Sequence, residues 1–203
     1  MQLIILTLPT FFEAEAKAIN VLMDQDDFIL HIRKPHASTQ AIGTLLNQIN
    51  KEYYSRIVLH DGFNLAHHNS VKGVHLNRRN PEPPFGFEGS ISRSCHSWEE
   101  VKTYRDHCHY LFISPLFDSL SKPGYKQAFS VEELEEAQQR GWLDKRIVGL
   151  GGITPERISL LASYGLGGAA VLGYIWQDFA NYPDFYSLQE RLKACKLQTQ
   201  KYG

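Results

Sequence analysis

The amino-acid sequence predicts an α/β chain closed into one parallel sheet, a (β/α)8 TIM barrel, with residues 1–203 as a single domain. Three observations carry that expectation. Eight short apolar runs alternate with stretches of helical periodicity, and repeated strand–helix units imply a parallel sheet. No two runs are joined by a hairpin signal. Shared among eight units, 203 residues give about 25 per unit, near the small end for such barrels and enough for one core. A doubly wound open sheet is the alternative; no GxGxxG follows the first strand to support it.

The first strand is read at 3–7, apolar and too short for a signal segment. A helix follows at 13–23, with Ala14, Ala18, Val21 and Leu22 on one face. Strand 2 is expected at 28–32, a helix at 39–49, strand 3 at 56–59 and a short helix at 63–68. Strand 4 is read at 73–76. The stretch 77–88 is irregular, because Pro81, Pro83 and Pro84 forbid a regular helix. Strand 5 is expected at 88–93. Ser97 and Glu100 form a capping-box pattern opening a helix to about 107. Strand 6 is read at 110–113. Ser130 and Glu133 form a second box, with a helix to about 140. Strand 7 is expected at 146–150. Thr154-Pro155 reads as an N-cap with proline at the first helical position, and that helix runs to about 164. Strand 8 is read at 168–172, and a last helix at 185–196.

Composition narrows the function classes. Lysine and arginine number 21 against 22 acidic residues, so no basic excess points to nucleic acid. No run approaches the roughly 18 apolar residues of a membrane span, and a cytoplasmic protein is expected. Cys95, Cys108 and Cys195 lie far apart and form no CxxC pair, which reads as reduced thiols rather than a zinc site.

In such barrels chemistry sits at the carboxyl ends of the strands. There the sequence places His31, Arg33 and Lys34; His60 and Asp61; His75, Arg78, Arg79 and Asn80; Ser94, Cys95 and His96. After strand 6 the chain empties into Ser114, Ser119, Ser121 and Lys122, a solvated loop on one reading and an anion site on the other. Gly151-Gly152 and Gly173 follow strands 7 and 8, where backbone N–H groups cradle phosphate in many barrels. Each has a plainer reading. Gly151-Gly152 also suits a tight turn, Asp61 an N-cap, and Arg78 and Arg79 a solvated face. His75 either points into the barrel or is a satisfied buried histidine. Their shared position at one rim is what favours a polyanion site, with Arg33, Lys34 and Lys122 as its cations.

The segments "LHIRKP", "VLHDGFNLA", "VKGVHLN", "SRSCHSWEE", "YLFISPLFDSLSKPGY", "VGLGGITPE" and "GGAAVLGYI", in this order and spacing, resemble the thiamin phosphate synthase / thiazole tautomerase family. The resemblance implies a transferase joining 4-amino-2-methyl-5-hydroxymethylpyrimidine pyrophosphate to thiazole phosphate, with release of pyrophosphate. It implies that His31, Arg33 and the adjacent Lys34, with Ser119, Ser121 and Lys122, hold pyrophosphate, and that His60 lies beside them. Asp61 and Asn80 fall on the magnesium ligands, Ser94 and Lys122 on catalytic positions, and Gly151, Gly152 and Gly173 on the phosphate site. Assembly into homo-oligomers is also implied.

The chain departs from the family pattern at several points. Pro35 stands where the family has lysine, His31 replaces a glutamine, and His60 replaces an asparagine. Asn80 replaces an aspartate, removing one negative charge from a hard-cation site. Two other readings stay open. A metal-free thiazole tautomerase needs a histidine where this chain has Pro115, with His31 or His96 as substitute bases. A non-catalytic thiazole- or thiamin-phosphate-binding regulator would keep only the phosphate cradle.

Overall fold

The structure is a computed structural model that describes residues 1–117 and 129–203 (for His68, the backbone only). The strands β1 Gln2–Leu6, β2 Ile29–Ile32, β3 Ile57–Leu59, β4 Gly73–Leu76, β5 Ser90–Cys95, β6 Tyr110–Ile113, β7 Ile147–Leu150 and β8 Gly168–Val171 pair in chain order. β8 closes on β1, and every pairing is parallel. Among the described residues the helices are α1 Glu15–Gln25, α2 Thr39–Asn47, α3 Asn64–Asn69, α4 Trp98–Tyr104, α5 Val131–Gln139, α6 Pro155–Ser163, α7 Gly173–Trp176 and α8 Phe185–Gln200. A 3₁₀ helix, Lys51–Arg56, precedes β3. The chain therefore folds as the expected (β/α)8 barrel.

Successive residues of a strand face opposite sides, so each strand feeds two cores. Leu3, Ile5, Leu30, Ile32, Ile57 and Leu59 pack outward against the helices. Ile4, Leu6, Ile29, Val58, Tyr110, Phe112, Val148 and Ala170 fill the barrel interior. Each fully buried aliphatic side chain contributes about 1.5–3 kcal/mol. The interior is not wholly apolar, because His31, His75 and Ser92 are also buried there.

Helix starts follow the expected chemistry with one exception. Ser130 and Glu133 make the full capping box. The Ser97 side chain accepts from the Glu100 N–H, while the Glu100 carboxylate accepts from His96 N–H at 2.6 Å. Thr154 makes no cap bond to α6; its side chain instead helps to hold the Glu156 carboxyl below its ordinary range. α6 therefore starts beside Gly151-Gly152 without a side-chain cap on its N–H groups.

β5 begins two residues later than expected. Its ladder with β4 starts at Gly73 and Ser90, and Ser90 N–H donates to Lys72 O at 2.8 Å. The strand's continuation to Cys95 puts Ser94 on the same inward face as Ser92, where both meet His75. At the other side of the rim, Trp176 of α7 donates its indole N–H to Leu6 O at 2.7 Å, tying α7 to the end of β1. The three cysteines are free and buried. No helix among the described residues is long and apolar enough to cross a membrane.

Candidate active site

A cavity of about 510 Å3 opens at the carboxyl ends of the strands. Arg33 follows β2, Arg78 and Arg79 follow β4, Ser94 is the penultimate residue of β5, and Gly151-Gly152 follow β7; all of them line it, as does Gly173 after β8. The expected rim is thus one place. Among the described lining residues, four arginines face a single carboxylate, Glu100, so the cavity attracts anions. Its walls also carry Leu6, Leu150, Ala170 and Leu172, which suit a flat ring.

The loop after β4 is folded by Asn77. Its Oδ1 accepts from the backbone N–H groups of Arg79 (3.0 Å) and Asn80 (3.3 Å), an Asx-type turn. Its Nδ2 donates to His60 O at 2.8 Å, which pins the loop to the end of β3. The turn delivers Arg79 onto Asp61: Nε donates to Oδ1 at 3.0 Å and the NH2 nitrogen to Oδ2 at 3.2 Å. Asn80 Nδ2 donates to Asp61 Oδ1 at 3.2 Å and to His60 O at 3.1 Å. Both acceptors lack protons to give, so the Asn80 atom facing Asp61 is its nitrogen.

Below the cavity lies a polar floor inside the barrel. His31 Nδ1 and His60 Nε2 share a hydrogen bond of 2.8 Å, and His31 Nε2 meets the Tyr110 hydroxyl at 2.8 Å. His75 holds Ser92 Oγ and Ser94 Oγ, both at 2.8 Å, through its two ring nitrogens. His60 and His75 stack with ring centres 4.1 Å apart. Burial pushes all three imidazoles toward the neutral form. His75 is lowered to about 3, with Arg33 and Arg93 adding to the effect of burial. His31 and His60 are lowered well below 6.5, by burial first and then by neighbouring rings and, for His60, by Arg33 and Arg79. Their ring nitrogens lie within 4.8 Å of one another, a spacing suited to a transition-metal ion. As arranged, however, the nitrogens of His31 and His75 are all engaged in hydrogen bonds.

Two expected site residues are placed elsewhere. His31 is fully buried under the cavity, does not line it, and has both ring nitrogens in hydrogen bonds to His60 and Tyr110, so it is not placed to hold pyrophosphate. Lys34 is also fully buried and points away from the cavity. Its Nζ donates to Glu15 (2.6 and 2.8 Å), Leu8 O (2.8 Å) and Thr10 O (2.9 Å). Lys34 therefore anchors α1 and the β1–α1 loop to the barrel. His60, Ser94, Gly151, Gly152 and Gly173 line the cavity, as does His96, whose Nδ1 meets Ser114 O at 3.0 Å. Ser119, Ser121 and Lys122 lie outside the described residues.

Gly151 and Gly152 are conformationally required. Gly151 has φ +103°, and a Cβ there would lie 2.9 Å from Pro115 Cα. Gly152 has φ +62°. Both therefore occupy backbone that side-chain-bearing residues avoid.

A family model for thiamine monophosphate synthase matches residues 8–175. The chain belongs to the thiamine monophosphate synthase family. It is 36% identical to a thiamine phosphate pyrophosphorylase of known crystal structure from Bacteroides thetaiotaomicron, with TM-score 0.89 and both chains covered in full. A thiamine-phosphate synthase from Limosilactobacillus reuteri is 23% identical over 144 residues, 68% of this chain and 66% of that relative. One from Clostridium acetobutylicum is 26% identical over 136 residues, 64% of this chain and 63% of that relative. The matches thus span about two thirds of those curated relatives' lengths. A thiamine phosphate pyrophosphorylase from Pyrococcus furiosus, 18% identical at TM-score 0.76, shares the fold and covers 99% of this chain and 96% of its own.

Within this family pattern, the fit to magnesium turns on Asp61 and Asn80. The two are adjacent, as the motif positions imply. A hard cation needs oxygens turned into one space. Here both Asp61 oxygens accept from Arg79, and Asn80 presents an N–H donor. This donor set, as arranged, does not fit a magnesium ion. Sequence reading missed the Arg79–Asp61 pair and the part played by Tyr110. The available signal was period-two alternation, which puts Tyr110 on the inward face together with Phe112.

Proposed function

We propose that this chain is a thiamin phosphate synthase, joining the pyrimidine pyrophosphate to thiazole phosphate and releasing pyrophosphate. The observation that carries the reading is the polarity of the cavity: arginines after β2 and β4 on one side, a glycine cradle after β7 and β8 on the other. Two phosphorylated ends need two anion sites with room for two rings between them. The resemblance assigns the pyrophosphate to the arginine side and the thiazole phosphate to the glycine side. The thiazole nitrogen then attacks the pyrimidine methylene carbon as the C–O bond to pyrophosphate breaks. The protein's work is to hold both partners aligned and to stabilise the charge that builds on the leaving group. Arg33, Arg78 and Arg79 supply that stabilisation from the described residues. Ser94, fixed by His75, orients the reacting end from the cavity floor. No step is routed through magnesium, because Asp61 and Asn80 do not offer it a site.

The tautomerase reading is not favoured. Pro115 lines the cavity where that chemistry needs a histidine; of the two substitute bases, His31 is buried away from it, and His96, which does line it, has its Nδ1 engaged with Ser114 O at 3.0 Å. The test is direct: purified protein, both phosphorylated precursors, and chromatographic detection of thiamin phosphate. Product above a protein-free blank supports the reading; its absence with and without magnesium rejects it.

A further inference from the structure

We propose that Arg79 takes the place of the divalent cation, so that this chain binds the pyrophosphate group through a fixed guanidinium without magnesium. The inference rests on the synthase reading of the cavity and deepens it at the leaving-group side.

Three observations converge. Arg79 lines the cavity, and its side chain remains 39% exposed while Asp61 beneath it is 11% exposed. Its Nε and one terminal nitrogen are spent on Asp61, at 2.9–3.2 Å. The other terminal nitrogen makes no bond among the described residues, which leaves two N–H donors for an anion. Second, Asn80 turns its amide nitrogen to Asp61 and so braces the same carboxylate. Third, the charges balance. Two aspartates and Mg2+ sum to zero, and so do Asp61 and Arg79. The change from aspartate to Asn80 removes a negative charge, and a monovalent guanidinium then suffices where a divalent ion was needed. Asp61 is thereby an orienting group: it fixes the Arg79 fork, and Asn77 fixes the loop that carries it. A preset guanidinium suits phosphate oxygens geometrically, since its N–H groups are planar and paired.

The test is calorimetric titration of the protein with inorganic pyrophosphate, in EDTA and in magnesium, alongside the product assay in both conditions. The inference expects dissociation constants within about threefold of each other and product in EDTA. Arg79→Ala should weaken pyrophosphate binding in EDTA by up to about 10²-fold, the scale of removing one oriented donor. Arg79→Ala combined with Asn80→Asp should make binding depend on magnesium. Pyrophosphate binding or product only with magnesium in the unaltered protein overturns the inference while leaving the synthase reading intact. Binding in EDTA without product in either condition rejects the synthase reading and keeps the guanidinium site. No binding in either condition overturns the inference.

Discussion

His31 and His60 share a 2.8 Å hydrogen bond inside the barrel, and both rings are nearly or fully out of water. The bond requires at least one of the two facing nitrogens to lack a proton. Together with His75, they make the interior of this protein a store of neutral imidazole.

Stability should therefore fall with acid. In the unfolded chain these rings take a proton near 6.5, whereas His75 in the fold resists until about 3 and the other two until well below 6.5. Above 6.5 neither state binds the protons and stability is full. Below it the unfolded state binds more, so unfolding is favoured by roughly 1.4 kcal/mol per pH unit for each ring that stays neutral. Urea midpoints measured at pH 7.5, 6.0 and 5.0 should drop steeply over the last interval. A midpoint independent of pH across that range would contradict the buried neutral trio.

The Lys34–Glu15 pair should be far more sensitive to halving than to removal. Glu15→Ala leaves a buried ammonium with two carbonyls and the Phe11 ring but no counter-charge, and should destabilise the fold by about 3–5 kcal/mol. Replacing both, as Lys34→Met with Glu15→Leu, should cost much less, since no buried charge remains. Denaturant titration of the three proteins reads the difference, and equal losses in single and double variants would sink the argument.

Gly151→Ala should damage fold and site together. The new Cβ meets the Pro115 backbone at 2.9 Å, and φ +103° disfavours any side chain. A loss of about 1–3 kcal/mol is expected from the strain. KM for thiazole phosphate should rise more than KM for the pyrimidine substrate. Equal increases in both would remove Gly151 from the phosphate cradle.

Arg33→Ala should lower kcat/KM for thiamin phosphate formation by about 10²-fold, the scale of one lost oriented charge donor. Steady-state kinetics on both substrates checks this. An unchanged kcat/KM would take Arg33 out of the site despite its place in the cavity wall.

Strand alternation was legible in the sequence because each strand buries both faces, leaving short apolar runs between polar stretches. The direction of single side chains was less legible. Arg33 and Lys34 are neighbours with the same charge, yet an extended backbone sends them to opposite sides, one to the cavity and one to Glu15. Only the presence of Glu15 across the helix layer decides which of the two is drawn away from the cavity. The end of β5 was placed too early because Ser94 looks like a loop residue until His75 is known to need a partner. The Asp61–Arg79 pair depends on an Asx turn four residues long, whose outcome composition does not disclose. The 3₁₀ helix at Lys51–Arg56 and the single turn of α7 are too short for a periodic signal.

Trp176 sits at the end of α7, three residues from Gly173, with its indole bonded to the last carbonyl of β1 and ringed by Phe12 and Phe179. Trp98 and Trp142 lie together elsewhere, Trp98 tilted against Phe129 and Trp142 under Lys102 and Arg140. The fold thus carries its own optical gauge. An indole clamped between the first and last strands should change its emission if α7 shifts, so the phosphate cradle proposed at the glycine side can be tested by intrinsic fluorescence without any attached dye.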